Sequence, residues 1–133
     1  MSEEKFYPSE GELEILKVLW QHEPATVRFV HEQLSHHKDT GYTTTLKQMQ
    51  RLLEKGMLSR AEKGKMHLYL TTLPEAEVRM SMLQKMVQNV FKGSAVDLAM
   101  EALGSSRPSA AEIHELEQLI QEMKKSTDDD AAH

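Results

Sequence analysis

Apolar residues fall at Leu13, Leu16, Val18, Leu19 and Trp20, a spacing that predicts one helix with a broad buried face. Ser9 and Glu12 stand three apart just ahead of it. That is the spacing of a capping box, which places the helix start near Glu10. Pro24 closes the segment, because proline cannot continue a helix. Val27, Val30 and Leu34 predict a second helix with Thr26 as its cap, and Phe29 adds a bulky core candidate. Asp39-Thr40-Gly41 is a turn by composition. A third helix is expected over Thr43–Lys55, with Thr43 as N-cap and Gly56 in the left-handed position past its end. Leu46, Met49, Leu52 and Leu53 make its apolar face, and Thr44, Lys47, Gln48, Arg51 and Lys55 fall opposite.

After Gly56 the period changes. Met66, Leu68 and Leu70 alternate with polar residues, and Leu58 and Arg60 are expected to face them. Lys63-Gly64 between the two runs is a hairpin signal. Three short helices followed by a basic hairpin form a helix-turn-helix with a wing, the winged-helix pattern. Pro74 then opens a helix whose stripe runs through Val78, Met82, Leu83, Met86, Val87, Val90 and Phe91. A short helix is expected over Ser94–Leu103. A second capping-box spacing, Ser109 to Glu112, opens a last helix with Ile113, Leu116, Leu119, Ile120 and Met123 on one face. The fold expected is mainly α: a winged-helix domain over 1–72, a helical domain over 73–125, and a disordered acidic tail over 126–133.

Composition changes this picture in three ways. The chain of 133 residues has no cysteine, which excludes disulfides, thiolate catalysis and cysteine metal sites. The net charge of −5 is unevenly spread: residues 41–67 hold six basic against two acidic residues, and residues 73–133 hold six against eleven. A basic middle suits a polyanion, while the C-terminal stripes have little sequence of their own to bury them. Pairing with a second copy is the economical solution, and Met80, Met82, Met86, Met100 and Met123 suit an adaptable interface. No apolar run approaches the roughly 20 residues of a membrane span, and the polar N-terminus does not resemble a secretory signal. A cytoplasmic protein without membrane insertion is expected. There is no nucleophile motif, no phosphate-cradling glycine loop and no HExxH, so no enzyme is expected. The histidines show no diagnostic metal spacing, and neither metal nor cofactor is expected.

The wording of the N-terminal region adds a resemblance. Leu13-Glu14-Ile15-Leu16-Lys17-Val18-Leu19-Trp20, Pro24-Ala25-Thr26-Val27-Arg28, Tyr42-Thr43-Thr44, Gln50-Arg51-Leu52-Leu53-Glu54-Lys55-Gly56 and Leu58 resemble the penicillinase-repressor family of BlaI/MecI/CopY type. The likeness is specific over 9–70 and rests on pattern over 74–125. It implies a homodimeric repressor whose winged helix binds a palindromic double-stranded operator and whose C-terminal helices dimerise. In antibiotic-responsive members a membrane sensor protease is a further partner, leading to cleavage at an Asn-Phe bond. No Asn-Phe pair occurs here, and the matching position falls near Glu101-Ala102. Copper sensing through a cysteine motif is excluded by composition.

The resemblance places Thr43, Thr44, Lys47 and Gln48 nearest the bases. Threonine suits a thymine methyl, lysine a guanine acceptor pair and glutamine an adenine edge. Arg28, Tyr42, Arg51, Lys55 and the wing's Lys63 and Lys65 are the phosphate candidates. Met82, Leu83, Met86, Val87, Val90, Phe91, Ile113, Leu116, Leu119, Ile120 and Met123 are the interface candidates. Two other readings fit the same pattern: a small-ligand-sensing regulator, and a winged helix used only for protein–protein contact.

Overall fold

A computed structural model of the chain describes residues 7–132, and residues 1–6 and 133 lie outside it. The elements in order are α1 (Glu10–His22), α2 (Val27–Leu34), α3 (Tyr42–Glu54), β1 (Leu58–Lys63), β2 (Met66–Thr71), α4 (Glu75–Asn89), α5 (Ala95–Ser106) and α6 (Ala110–Ala132). The chain divides into two compact units, the first ending at Met86 and the second beginning at Val87.

Local signals set most of the boundaries in the first unit. Glu12 N–H donates to Ser9 Oγ at 3.2 Å, and Ser9 N–H donates to Glu12 Oε1 at 2.9 Å, so the capping box is complete. Thr26 Oγ1 accepts from Phe29 N–H at 3.1 Å and starts α2. Gly56 ends the third helical segment with φ +82, a conformation only glycine takes cheaply. Ile15, Leu16 and Leu19 of α1, Val30 and Leu34 of α2, and Met49 and Leu52 of α3 meet in one buried core. Trp20 packs at its edge and donates its indole N–H to Leu73 O at 3.0 Å.

β1 and β2 pair antiparallel, with Leu58 opposite Thr71 and Lys63 opposite Met66. Gly64, with φ +64, takes the first place of the two-residue loop. The face turned to the core differs from the expected one. Leu58 and Tyr69 are buried, whereas Met66 is exposed and Leu68 and Leu70 are half-buried. Arg60 lies opposite Tyr69, so neither Leu58 nor Arg60 pairs with the Met66-Leu68-Leu70 series. The reason is tertiary. Tyr69 and Ala25 exchange two backbone hydrogen bonds, of 2.8 and 3.1 Å, which draw the middle of β2 against the α1–α2 connection. Glu23 adds a second tie, accepting Thr71 N–H at 2.6 Å and Thr71 Oγ1 at 2.8 Å. The wing is thereby held at its base and free at its tip.

The start of α4 belongs to this unit, since Val78 is buried in the core and Met82 packs against it. The second unit, by contrast, contains no buried residue among those described. Ser94 caps α5 by accepting Asp97 N–H at 3.0 Å. Ser109 and Glu112 form the expected reciprocal pair at the start of α6. The stretch read as a disordered tail is helical as far as Ala132. Adding residues to an existing long helix costs no new nucleus, and Thr127 Oγ1 donates back to Met123 O at 3.0 Å.

One side chain joins distant ends of the first unit. Glu12 is fully buried, and Lys55 Nζ lies 3.0 Å from both of its carboxylate oxygens. Burial by itself raises the carboxyl, but the Ser9 N–H and the Lys55 ammonium outweigh it and hold it below its ordinary value of 4.5. A depressed folded-state value means stability that is present above about pH 4.5 and lost as pH falls through that folded value. Glu12→Gln keeps the shape and removes the charge. It is expected to lower stability at pH 7 by about 1–3 kcal/mol and to flatten the acid side of the stability profile. Thermal melts of both proteins between pH 3 and 7 check this, and equal melting at pH 7 would remove the clamp from the account.

Candidate nucleic-acid interface

α3 begins one residue before the expected cap. Gly41 is the N-cap, in extended backbone, and supplies no side-chain hydrogen bond. Thr43 is already inside the first turn, so its hydroxyl does not sit in the capping position. Thr45 is the reason the phase differs. It is completely buried, and its Oγ1 lies 3.3 Å from His31 Nδ1. With Thr45, Met49 and Leu52 turned inward, the outward face of α3 consists of Thr43, Thr44, Lys47, Gln50, Arg51 and Glu54, all exposed.

Three of the four expected base readers are therefore on the open face: Thr43, Thr44 and Lys47. Gln48 is turned aside and half-buried. Its amide lies over Gly11 so closely that a Cβ there would stand 2.5 Å from Nε2. Gln50, which the sequence pattern passed over, takes a place on the open face instead. A helical phase counted from Thr45, Met49 and Leu52 rather than from Leu46 and Leu53 identifies it.

Of the phosphate candidates, Lys55 is committed elsewhere, to Glu12. Arg51 is exposed on α3. Arg28 on α2 stacks its guanidinium over the Tyr42 ring at 5.8 Å from the centroid, and Tyr42 remains 42% exposed. The ring of His31 meets Tyr42 edge-on at 5.6 Å. Lys63 and Lys65 flank Gly64 at the exposed wing tip. Farther back on the wing, His67 Nε2 sits 3.4 Å from Glu62 Oε1. Among the described residues no carboxylate lies within 4.0 Å of Lys47, Arg51, Arg28, Lys63 or Lys65.

The first unit thus offers a helix face with hydroxyl, amide and cationic groups, an aromatic–guanidinium pair at its start, and a lysine-tipped hairpin. Amide, hydroxyl and cationic side chains are the groups that pair with base edges and phosphates. Their separation over one helix and a hairpin tip fits an extended polyanion better than a small ligand.

Comparison with known proteins adds the relatives. The family model described as penicillinase repressor matches residues 8–122. The penicillinase repressor of Bacillus licheniformis is 26% identical over 116 residues, covering 87% of this chain and 91% of that protein. The methicillin resistance regulatory protein MecI of Staphylococcus aureus is 22% identical over 120 residues, covering 90% and 98%. The transcriptional regulator BlaI of Mycobacterium tuberculosis is 31% identical over 112 residues, covering 82% and 72%. Among solved structures, the DNA-binding domain of the repressor BlaI matches with 28% identity and a TM-score of 0.48, covering 53% of this chain and 85% of that one. No described helix is long and apolar enough to cross a membrane.

Proposed function

The chain belongs to the penicillinase-repressor family and is a DNA-binding transcriptional repressor; from that premise we propose that two copies clasp a palindromic operator, each reading one half-site with α3. The observation that carries this is the open face of α3. Lys47 and Arg51 stand on it without carboxylate partners among the described residues, and Thr43, Thr44 and Gln50 stand beside them. In this reading α3 enters the major groove, with Thr43, Thr44, Lys47 and Gln50 toward the bases. Gln48 stays a candidate only if its amide leaves Gly11. Arg28, Tyr42 and Arg51 grip phosphates on the near strand, and Lys63 and Lys65 reach the flanking backbone. The helices of the second unit pair the copies. An inducing signal that separates the copies, or tilts the two α3 helices off the half-site spacing, releases the DNA, and the chain offers no Asn-Phe bond for cleavage.

The test is retention of the protein on a duplex taken from its own upstream region, titrated with salt and footprinted. Four cationic grips per copy, Arg28, Arg51, Lys63 and Lys65, in two copies neutralise roughly 6–10 phosphates, so affinity falls about 10³–10⁵-fold between 50 and 200 mM salt. The footprint is expected to show two protected half-sites about one helical turn or a multiple of it apart. Retention with no salt dependence, or a single unpaired half-site, contradicts the reading.

A further inference from the structure

We propose that His31 is a positioning residue for DNA binding: without touching DNA, it sets the first turn of α3 and the two phosphate-gripping side chains beside it. The proposal rests on the operator-binding reading above and goes one step deeper into the same site.

The start of α3 has little local support. Gly41 gives no side-chain cap, so the first turn is fixed by the backbone bond from Thr45 N–H to Gly41 O at 3.2 Å and by what holds Thr45. Thr45 Oγ1 donates to Gly41 O at 3.5 Å, and His31 holds the same hydroxyl from α2. The ring stands on α2 with Nδ1 3.3 Å from the buried Thr45 hydroxyl. Its Nε2 lies 3.5 Å from Ser35 Oγ, and that hydroxyl donates to His31 O at 2.9 Å. Both ring nitrogens are thus engaged by hydroxyls, one on α3 and one on the residue that caps the end of α2, and the ring plane is fixed between them.

The same ring has a second use. It meets Tyr42 edge-on at 5.6 Å with an interplanar angle of 82°, and Arg28 covers the Tyr42 ring. Arg28 and His31 stand three apart on one side of α2, so one helix presents both to the start of α3. An exposed tyrosine and an exposed arginine otherwise lose rotamer freedom on gripping a phosphate, and pre-ordering them removes that cost. His31 is the only member of the group that touches both the buried anchor Thr45 and the exposed grip Tyr42. A purely structural role explains the bond to Thr45 but not the ring contact with Tyr42.

The experiment uses the full chain and the upstream duplex, measuring affinity, salt slope and thermal midpoint for His31→Ala, His31→Asn, Tyr42→Ala and the double variant His31→Ala/Tyr42→Ala. His31→Ala is expected to weaken retention by about ten- to a hundred-fold. Its salt slope becomes shallower by roughly one to two, as the Arg28 of each copy loses its ordered grip. His31→Asn places an amide where Nδ1 stood, so it recovers the thermal midpoint but not the slope. The double variant loses less than the sum of the two single losses, because part of the effect of His31 runs through its contact with Tyr42. Wild-type affinity and slope in His31→Ala, strictly additive losses in the double variant, or full recovery of the slope by His31→Asn would each overturn the proposal while leaving operator binding intact. Failure of the wild-type chain to be retained at all would overturn both readings.

Discussion

An aspartate at Leu119 or Ile120 is expected to leave the winged helix folded and yet remove operator retention at working concentrations. The reasoning starts from exposure. Among the described residues, eleven of the thirteen large apolar side chains left exposed lie between Met80 and Met123. On α6 they form one stripe, with Ile113 at 46%, Leu119 at 52%, Ile120 at 50% and Met123 at 60% exposure. A helical unit without a single buried side chain among the described residues has no core of its own, and helices in water depend on packing for stability. Contiguous apolar patches of this kind mark interfaces, and a symmetric pair buries the same stripe twice. Burying an unpaired carboxylate there costs about 3–5 kcal/mol, a factor of roughly 10²–10³ or more in pairing. A lone copy then carries half the phosphate contacts, so the salt slope halves as the affinity drops. Sedimentation and salt-titrated retention check the two effects together. A variant that stays dimeric, or that becomes monomeric and keeps its affinity and slope, would take the C-terminal helices out of the binding mechanism.

What could be read from the sequence divides by the range of the interaction. The capping box at Ser9, the cap at Thr26, the stop at Gly56 and the hairpin at Lys63-Gly64 are local, and each lies where spacing and residue type put it. The errors come from contacts between residues far apart. Nothing near Tyr69 announces that Ala25 will pair with it and turn its face of β2 inward. Lys55 looks like a free cation on a helix wheel, but Glu12 reaches it from the other end of the fold. Gln48 is drawn to Gly11, where the absence of a side chain leaves room for its amide. The phase of α3 followed from leucines, whereas the buried position is a threonine satisfied by His31, and hydrophobicity does not flag that residue. The acidic run at 128–130 reads as disorder by composition, and only the long helix before it carries it along.

The alanine variants of Lys47 and Arg51 separate DNA reading from every other use of this fold. The two residues stand one turn apart on the open face of α3, and both are exposed, so neither change is expected to shift the thermal midpoint by more than the scatter of surface substitutions. Their effects on binding differ in kind. A lysine on a guanine edge is worth about 1–3 kcal/mol of discrimination, and the operator presents it twice. Lys47→Ala is therefore expected to lower affinity for the intact operator by about a hundred-fold or more, and to lower affinity for unrelated duplex far less. Arg51→Ala should weaken both duplexes alike and reduce the salt slope by about two per dimer, close to 0.9 for each lost phosphate contact. Alanine at Gln48, shielded over Gly11, should do little, and Lys55→Ala should act through stability by releasing Glu12. A winged helix serving only protein contact predicts none of this pattern: retention, if any, would be indifferent to Lys47 and Arg51 alike. If Lys47→Ala and Arg51→Ala instead produce the same loss on every duplex, α3 grips backbone without reading sequence, and the specificity must come from the wing or from DNA shape.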